Sequence, residues 1–207
     1  MQRIVSRRVA TAAMLLIATT GCQSAMSNPE SSATPAPPLP EGSYTNVGAP
    51  WPLKFRAHYF GVSTYSTYGC KVVYAGMPRV MDRDDELQSS SEAIGSKYPN
   101  NMKATWGPIS NFPPAAKVTW RSKDGTPHEA EIDIGEIFKD QLIRHNVKQE
   151  DAADPASSGT PGIILEVNDR TINVYMQTAI WLKQPKDPDN PLSDVERDLT
   201  KVFSQKY

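Results

Sequence analysis

The stretch "AAKVTWRSKDGTPHEAEIDI" constrains the fold of this chain more than any other. It alternates polar and apolar residues on both sides of Asp124-Gly125, a dipeptide that favours tight hairpin turns. Side chains two apart on a strand share a face. Glu129, Glu131 and Asp133 therefore lie on one face, and Ala130, Ile132 and Ile134 on the other. The segment predicts two antiparallel strands with one dry face and one wet face. The three carboxylates resemble a catalytic or metal-binding group when taken alone. Side by side they repel, which a solvated strand face tolerates, and cross-strand Lys117, Thr119 or Arg121 can offset them. His128 has the opposite parity and does not join them.

Other segments carry strand signals too. "LKFRAHYF" alternates, with Leu53, Phe55, Ala57 and Tyr59 on one face and Lys54, Arg56 and His58 on the other. "CKVVYAGM" reads as a short β-branched strand. "GIILEV" and "TINVYMQTAIWLK" flank Asn168-Asp169-Arg170 and predict a second hairpin. Two segments carry helical spacing. In "GEIFKDQLIRHNV", Ile137, Phe138, Leu142 and Ile143 cluster on one helical face. Near the end, Ser193 and Glu196 form a capping box, and Val195, Leu199, Val202 and Phe203 follow at i, i+4, i+7 and i+8. The expected fold is α+β: a mostly antiparallel, sandwich-like β-sheet with one or two packed helices, the last spanning 193–206.

The opening "MQRIVSRRVATAAMLLIATTGCQS" holds three arginines, then a short apolar run from Val9 to Ala18, then Gly21-Cys22. The run is shorter than the ~20 residues a membrane-spanning helix needs. It predicts a signal peptide over 1–21 with lipidation of Cys22, although Thr19 stands where a lipobox usually has leucine. The alternative is a plain secretory signal cut elsewhere. Lipid on Cys22, at ~0.8 kcal/mol for each buried methylene, would hold the protein on a membrane. Gln23, where aspartate would favour the inner membrane, points to the periplasmic side of the outer membrane.

Residues 22–50 are rich in Pro, Ser and Ala and predict an extended tether. A single globular domain is expected over 51–207. Removing residues 1–21 removes three arginines, leaving 22 − 3 = 19 basic against 23 acidic residues, a net charge of −4. That balance argues against nucleic acid as a partner. With Cys22 lipidated, Cys70 stands alone and is expected to be a buried small apolar residue.

No motif for zinc, phosphate or a nucleophilic serine is present, and no cofactor and no enzymatic activity are expected. Tyrosines crowd "HYFGVSTYSTYGCKVVY". Tyr65 and Tyr68 read as recognition-loop residues, while Tyr59 and Tyr74 are as readily explained by packing along a sheet. "MDRDDELQ" carries Asp84 and Asp85. They read as solvated loop or as a charged rim that steers a partner. Tyr65, Tyr68, Asp84 and Asp85 are thus the candidate partner-binding residues.

Taken together, "FPPAAKVTWRSKDGTPHEAEIDIGEIFKDQLI" and "PGIILEVNDRTINVYMQTAIWL" resemble a family of uncharacterised proteobacterial envelope lipoproteins. Val118, Trp120, Ser122 and Phe138 carry the likeness; "TPHEAEI" departs from the family's acidic-aromatic return strand. Some similar small lipoproteins act as immunity proteins against type VI secretion effectors, notably phospholipases. The resemblance therefore implies a binding module whose partner is a secreted effector, or else a structural component of the envelope. It supplies no catalytic residues.

Overall fold

The computed structural model describes Gly48 and residues 50–207. The signal peptide, Cys22 and nearly all of the tether lie outside the described residues. Along the chain run β1 (Ala57–Tyr65), β2 (Thr67–Tyr74), β3 (Met77–Met81), β4 (Trp106–Ser110), β5 (Ala116–Ser122) and β6 (Pro127–Ile132). A one-turn helix α1 (Ile134–Ile137) follows, then β7 (Gly162–Asn168), β8 (Thr171–Gln177), β9 (Ile180–Trp181), β10 (Val195–Glu196) and β11 (Leu199–Lys206). Two 3-10 segments, Glu92–Lys97 and Pro191–Ser193, complete the helical content of the described residues. The domain is mostly β, as its alternating segments predict.

The strands form a five-stranded sheet, β11-β8-β7-β1-β4, a four-stranded sheet, β3-β2-β5-β6, and a small β10-β9 pair. All pairings are antiparallel except β1 with β7. Both predicted hairpins form. Val118 faces Ala130 across β5 and β6, with Gly125 at φ 86 in the turn. Asn168 faces Thr171 across β7 and β8. A third hairpin lies where "CKVVYAGM" reads as one strand: Ala75 and Gly76, both at positive φ, turn β2 into β3.

The two large sheets share one core. Phe60, Ile163, Leu165, Val167, Val174 and Met176 from the first meet Cys70, Val72, Tyr74, Val118, Trp120 and Ile132 from the second. Cys70 is buried, and burial pushes its thiol up to about 12. On its opposite face the five-stranded sheet is covered by the segment 91–105, which packs Ile94, Tyr98 and Met102 against Ile164 and Tyr175. This double cover explains the unbroken burial of β7 and β8 and the near-continuous apolar run in "GIILEV". Close approach requires Gly61. A Cβ there would overlap the Lys103 carbonyl and sit 2.8 Å from the Ala104 Cα.

Three expectations need correction. The predicted helix over 193–206 is absent; residues 199–206 form β11, paired along its length with β8. A bulge between Lys201 and Phe203 lets Val202 and Phe203 both reach the core, which mimics helical spacing in the sequence. Thr200, Val202 and Phe203 are also strand formers, and the long-range pairing decides. The helix expected in "GEIFKDQLIRHNV" is a single turn, α1, that ends at Ile137. Asp133 caps it by accepting from the Glu136 N–H at 2.9 Å. The chain then extends, so that the Phe55 and Ile143 amides donate to the Gln141 and Leu53 carbonyls. Finally, the alternation in Leu53–Phe60 changes phase. His58, predicted on the wet face, is fully buried. Its ring has partners there: Nδ1 meets Asn111 Oδ1 at 2.8 Å, and Nε2 meets the Tyr74 hydroxyl at 3.0 Å.

Candidate functional site

Two of the four candidate binding residues come together, Tyr68 from a strand and Asp84 from the loop after β3. Tyr68 lies on β2 directly opposite Arg121 on β5. The Arg121 guanidinium covers the Tyr68 ring at 5.1 Å from its centroid and also donates to the Asp84 carbonyl. Lys71 Nζ stands 3.5 Å from the Asp84 carboxylate. Gly69 makes this approach possible, because a Cβ there would meet the Asp84 carboxylate and lie 3.2 Å from the Asp84 Cα. Asp85 turns outward and pairs with Arg83 at 3.2 Å.

Tyr65 does not belong to this group. It ends β1, is 6% exposed, and accepts a hydrogen bond from Asn101 Nδ2 at 2.8 Å. Its ring meets Tyr98 edge-on. Its position is fixed by the core of segment 91–105, which corrects its placement in a recognition loop.

The outer face of the four-stranded sheet extends the Tyr68 group. Strand register aligns Met81, Lys71, Thr119 and Glu129 in one row, and Pro78, Val73, Lys117 and Glu131 in the next. Met81 and Val73 are exposed at 69% and 40%. Lys117 stands 3.8 Å from Glu131. Such exposed pairs contribute little to stability. The face combines an aromatic ring, a stacked arginine, exposed apolar side chains and paired charges. Arginine and tyrosine are among the residues enriched at the energetic centre of protein interfaces.

The carboxylates of the opening stretch fall as their parity predicts. Glu129 and Glu131 are exposed on this face and Asp133 caps α1. Among the described residues no group of three His, Cys, Asp or Glu side chains is arranged to hold a metal. His128 stacks on Trp120 with ring centroids 5.0 Å apart, and its Nε2 lies 3.1 Å from Ser122 Oγ. This is the geometry nearest to an activated serine. Ser122 is fully buried and donates its hydroxyl to Asp124 Oδ1 at 2.6 Å, so the carboxylate holds the serine rather than the imidazole. Bonds from Ser122 and Thr126 also hold the Asp124 carboxyl well below the usual carboxylate range. The cluster locks the β5–β6 turn.

A buried polar cluster was not legible as a site. Glu166, with no exposed surface, lies mid-strand on β7. Its Oε1 accepts from the Tyr98 hydroxyl at 2.9 Å and from Asn168 Nδ2 at 3.3 Å. Its Oε2 accepts from Asn173 Nδ2 at 2.8 Å and the Tyr175 hydroxyl at 3.0 Å. Burial, together with the neighbouring carboxylate, raises both phenols. Asn168 continues the chain of bonds to Ser91 Oγ at 2.9 Å. The cluster fastens segment 91–105 to the sheet. One charged residue inside "GIILEV" was the only signal for it.

Two shallow clefts of about 560 and 580 Å³ lie on either side of Glu150 and Lys183. Lys183 Nζ donates to the Glu150 carbonyl at 2.7 Å, and Lys186 pairs with Glu196 in the first cleft. Both clefts are lined by charged side chains of both signs. No family model, curated protein or solved structure matches the chain.

Proposed function

We propose that this protein is a periplasm-facing lipoprotein that acts as a non-enzymatic binding module. Lipid on Cys22 anchors it to the membrane, the outer one rather than the inner, and residues 22–50 carry the domain away from the surface. The sandwich-like domain presents the outer face of its four-stranded sheet to a protein partner. The observation that carries this reading is the stack of Arg121 on Tyr68 beside Asp84 and Lys71, a compact group of interface-type side chains on a rigid sheet. Sheet-borne side chains lose little conformational freedom on binding, which favours recognition.

The most concrete form of this function is immunity. The protein would bind a secreted toxic effector, such as a phospholipase, and exclude substrate from its active site by covering it. Co-expression with the product of the neighbouring gene tests the idea. An immunity protein restores growth and co-purifies with the toxin, and the Tyr68→Ala, Arg121→Ala double variant does neither. Equal killing with and without the protein rejects immunity. The family resemblance also supports a second reading, a structural or assembly lipoprotein of the envelope. In that case deletion weakens the envelope in the absence of any toxin.

A further inference from the structure

The two large sheets have four outer strands: β3 and β6 bound one, β4 and β11 the other. An unpaired edge offers backbone N–H and C=O groups to any passing strand, and proline is a common guard against it. β3 holds Pro78, β4 holds Pro108 and β6 begins at Pro127. β11 holds none over its eight residues, "LTKVFSQK". Every second residue of an antiparallel strand turns its backbone groups away from its neighbour. Among the described residues, no backbone hydrogen bond joins Leu199–Lys206 to anything but β8.

What guards β11 is charge. Lys201 and Lys206 face Tyr175 and Thr171 of β8, and the bulge at Val202 keeps both lysines on one face of the sheet. Both are exposed, as is Arg197 just before the strand. Asp198, the nearest acid in sequence, accepts from the Asn146 amide at 3.0 Å. A second copy of β11 would bring more lysines to the same edge, so like charge disfavours it. An extended segment with acidic side chains on alternate residues would meet both lysines while completing the backbone ladder.

We propose that the free edge of β11 is a strand-addition site for an extended acidic segment of a partner protein. Main-chain pairing supplies the attachment and Lys201 and Lys206 supply the selectivity. This site is on the opposite sheet from Tyr68 and is independent of that surface.

The test uses the full chain with a seven-residue strand of alternating Glu and Val fused after Tyr207 through a flexible Gly/Ser linker. Such a linker gives an effective concentration of ~mM. A second fusion carries Lys in place of Glu. The proposal expects amide exchange within Leu199–Lys206 to slow by about tenfold or more with the acidic strand and to stay unchanged with the basic one. Lys201→Glu with Lys206→Glu should reverse that preference, and both lysines are exposed, so the fold should survive. Equal protection by both strands, or none by the acidic one, overturns the proposal. So does a dimer of the unfused chain with protected β11 amides. Tyr68→Ala should leave every arm unchanged, which separates this site from the sheet face.

Discussion

Arg121 and Tyr68 face each other across β5 and β2, and the guanidinium lies over the tyrosine ring at 5.1 Å. Their backbones are fixed by the sheet, while their outer surfaces remain open. The pair contributes little to folding at an exposed site, about 0.5–1 kcal/mol. Arg121→Ala should therefore shift the urea midpoint only slightly. In a complex that covers this face, the same substitution should lower affinity by about 2 kcal/mol, roughly 30-fold. Urea unfolding and titration calorimetry with the partner check the two halves separately.

Glu166 should be far more important to stability than any exposed carboxylate. Glu166→Gln keeps the shape but turns an amide N–H₂ toward donors, either Asn173 and Tyr175 or Tyr98 and Asn168. The expected loss is about 1–3 kcal/mol, with faster amide exchange in segment 91–105. Tyr98→Phe removes one donor and should cost less. A double-mutant cycle between the two positions should show coupling.

Acid should weaken the fold before its carboxylates titrate. Burial lowers His58 below its ordinary 6.5, with the Asn111 bond opposing, and burial lowers His145 as well. In the window below 6.5 the unfolded chain takes up protons that the folded chain refuses, so stability falls as pH falls. It levels off beneath the folded-state values. Denaturant midpoints measured above and below 6.5 should show the decline, and His58→Gln should flatten part of it while lowering stability throughout.

Cys70 should be chemically silent in the native protein. It is fully buried, and burial raises its thiol to about 12, so almost no thiolate forms at neutral pH. A thiol reagent should label it only at the rate of unfolding. Rapid labelling in native buffer would contradict its place in the core.

The sequence made the hairpins legible because their information is local. Asp124-Gly125 sets a turn, and parity assigns Ala130 and Ile132 to the core with Glu129 and Glu131 outside. Elements fixed by distant contacts were not legible. The spacing of Leu199, Val202 and Phe203 reads as helical, yet β8 draws the segment into a strand, where Leu199 packs on the segment 91–105 side of the sheet and the bulge turns Val202 and Phe203 to the main core. His58 reads as polar, yet Tyr74 and Asn111 satisfy it inside. The candidate site was half legible for the same reason. Composition picked out Tyr68 and Asp84, but only the β2–β5 register adds Arg121 and Lys71. Tyr65 was misplaced because nothing local shows that segment 91–105 covers it.

The most direct test of the binding-module account is hydrogen exchange on the full chain, alone and in complex with the product of the neighbouring gene. Binding through the sheet face predicts slowed exchange across β2 and β5 and in the loop carrying Asp84, with segment 91–105 unchanged. A tight complex that leaves β2 and β5 exchanging as in the free protein would contradict it.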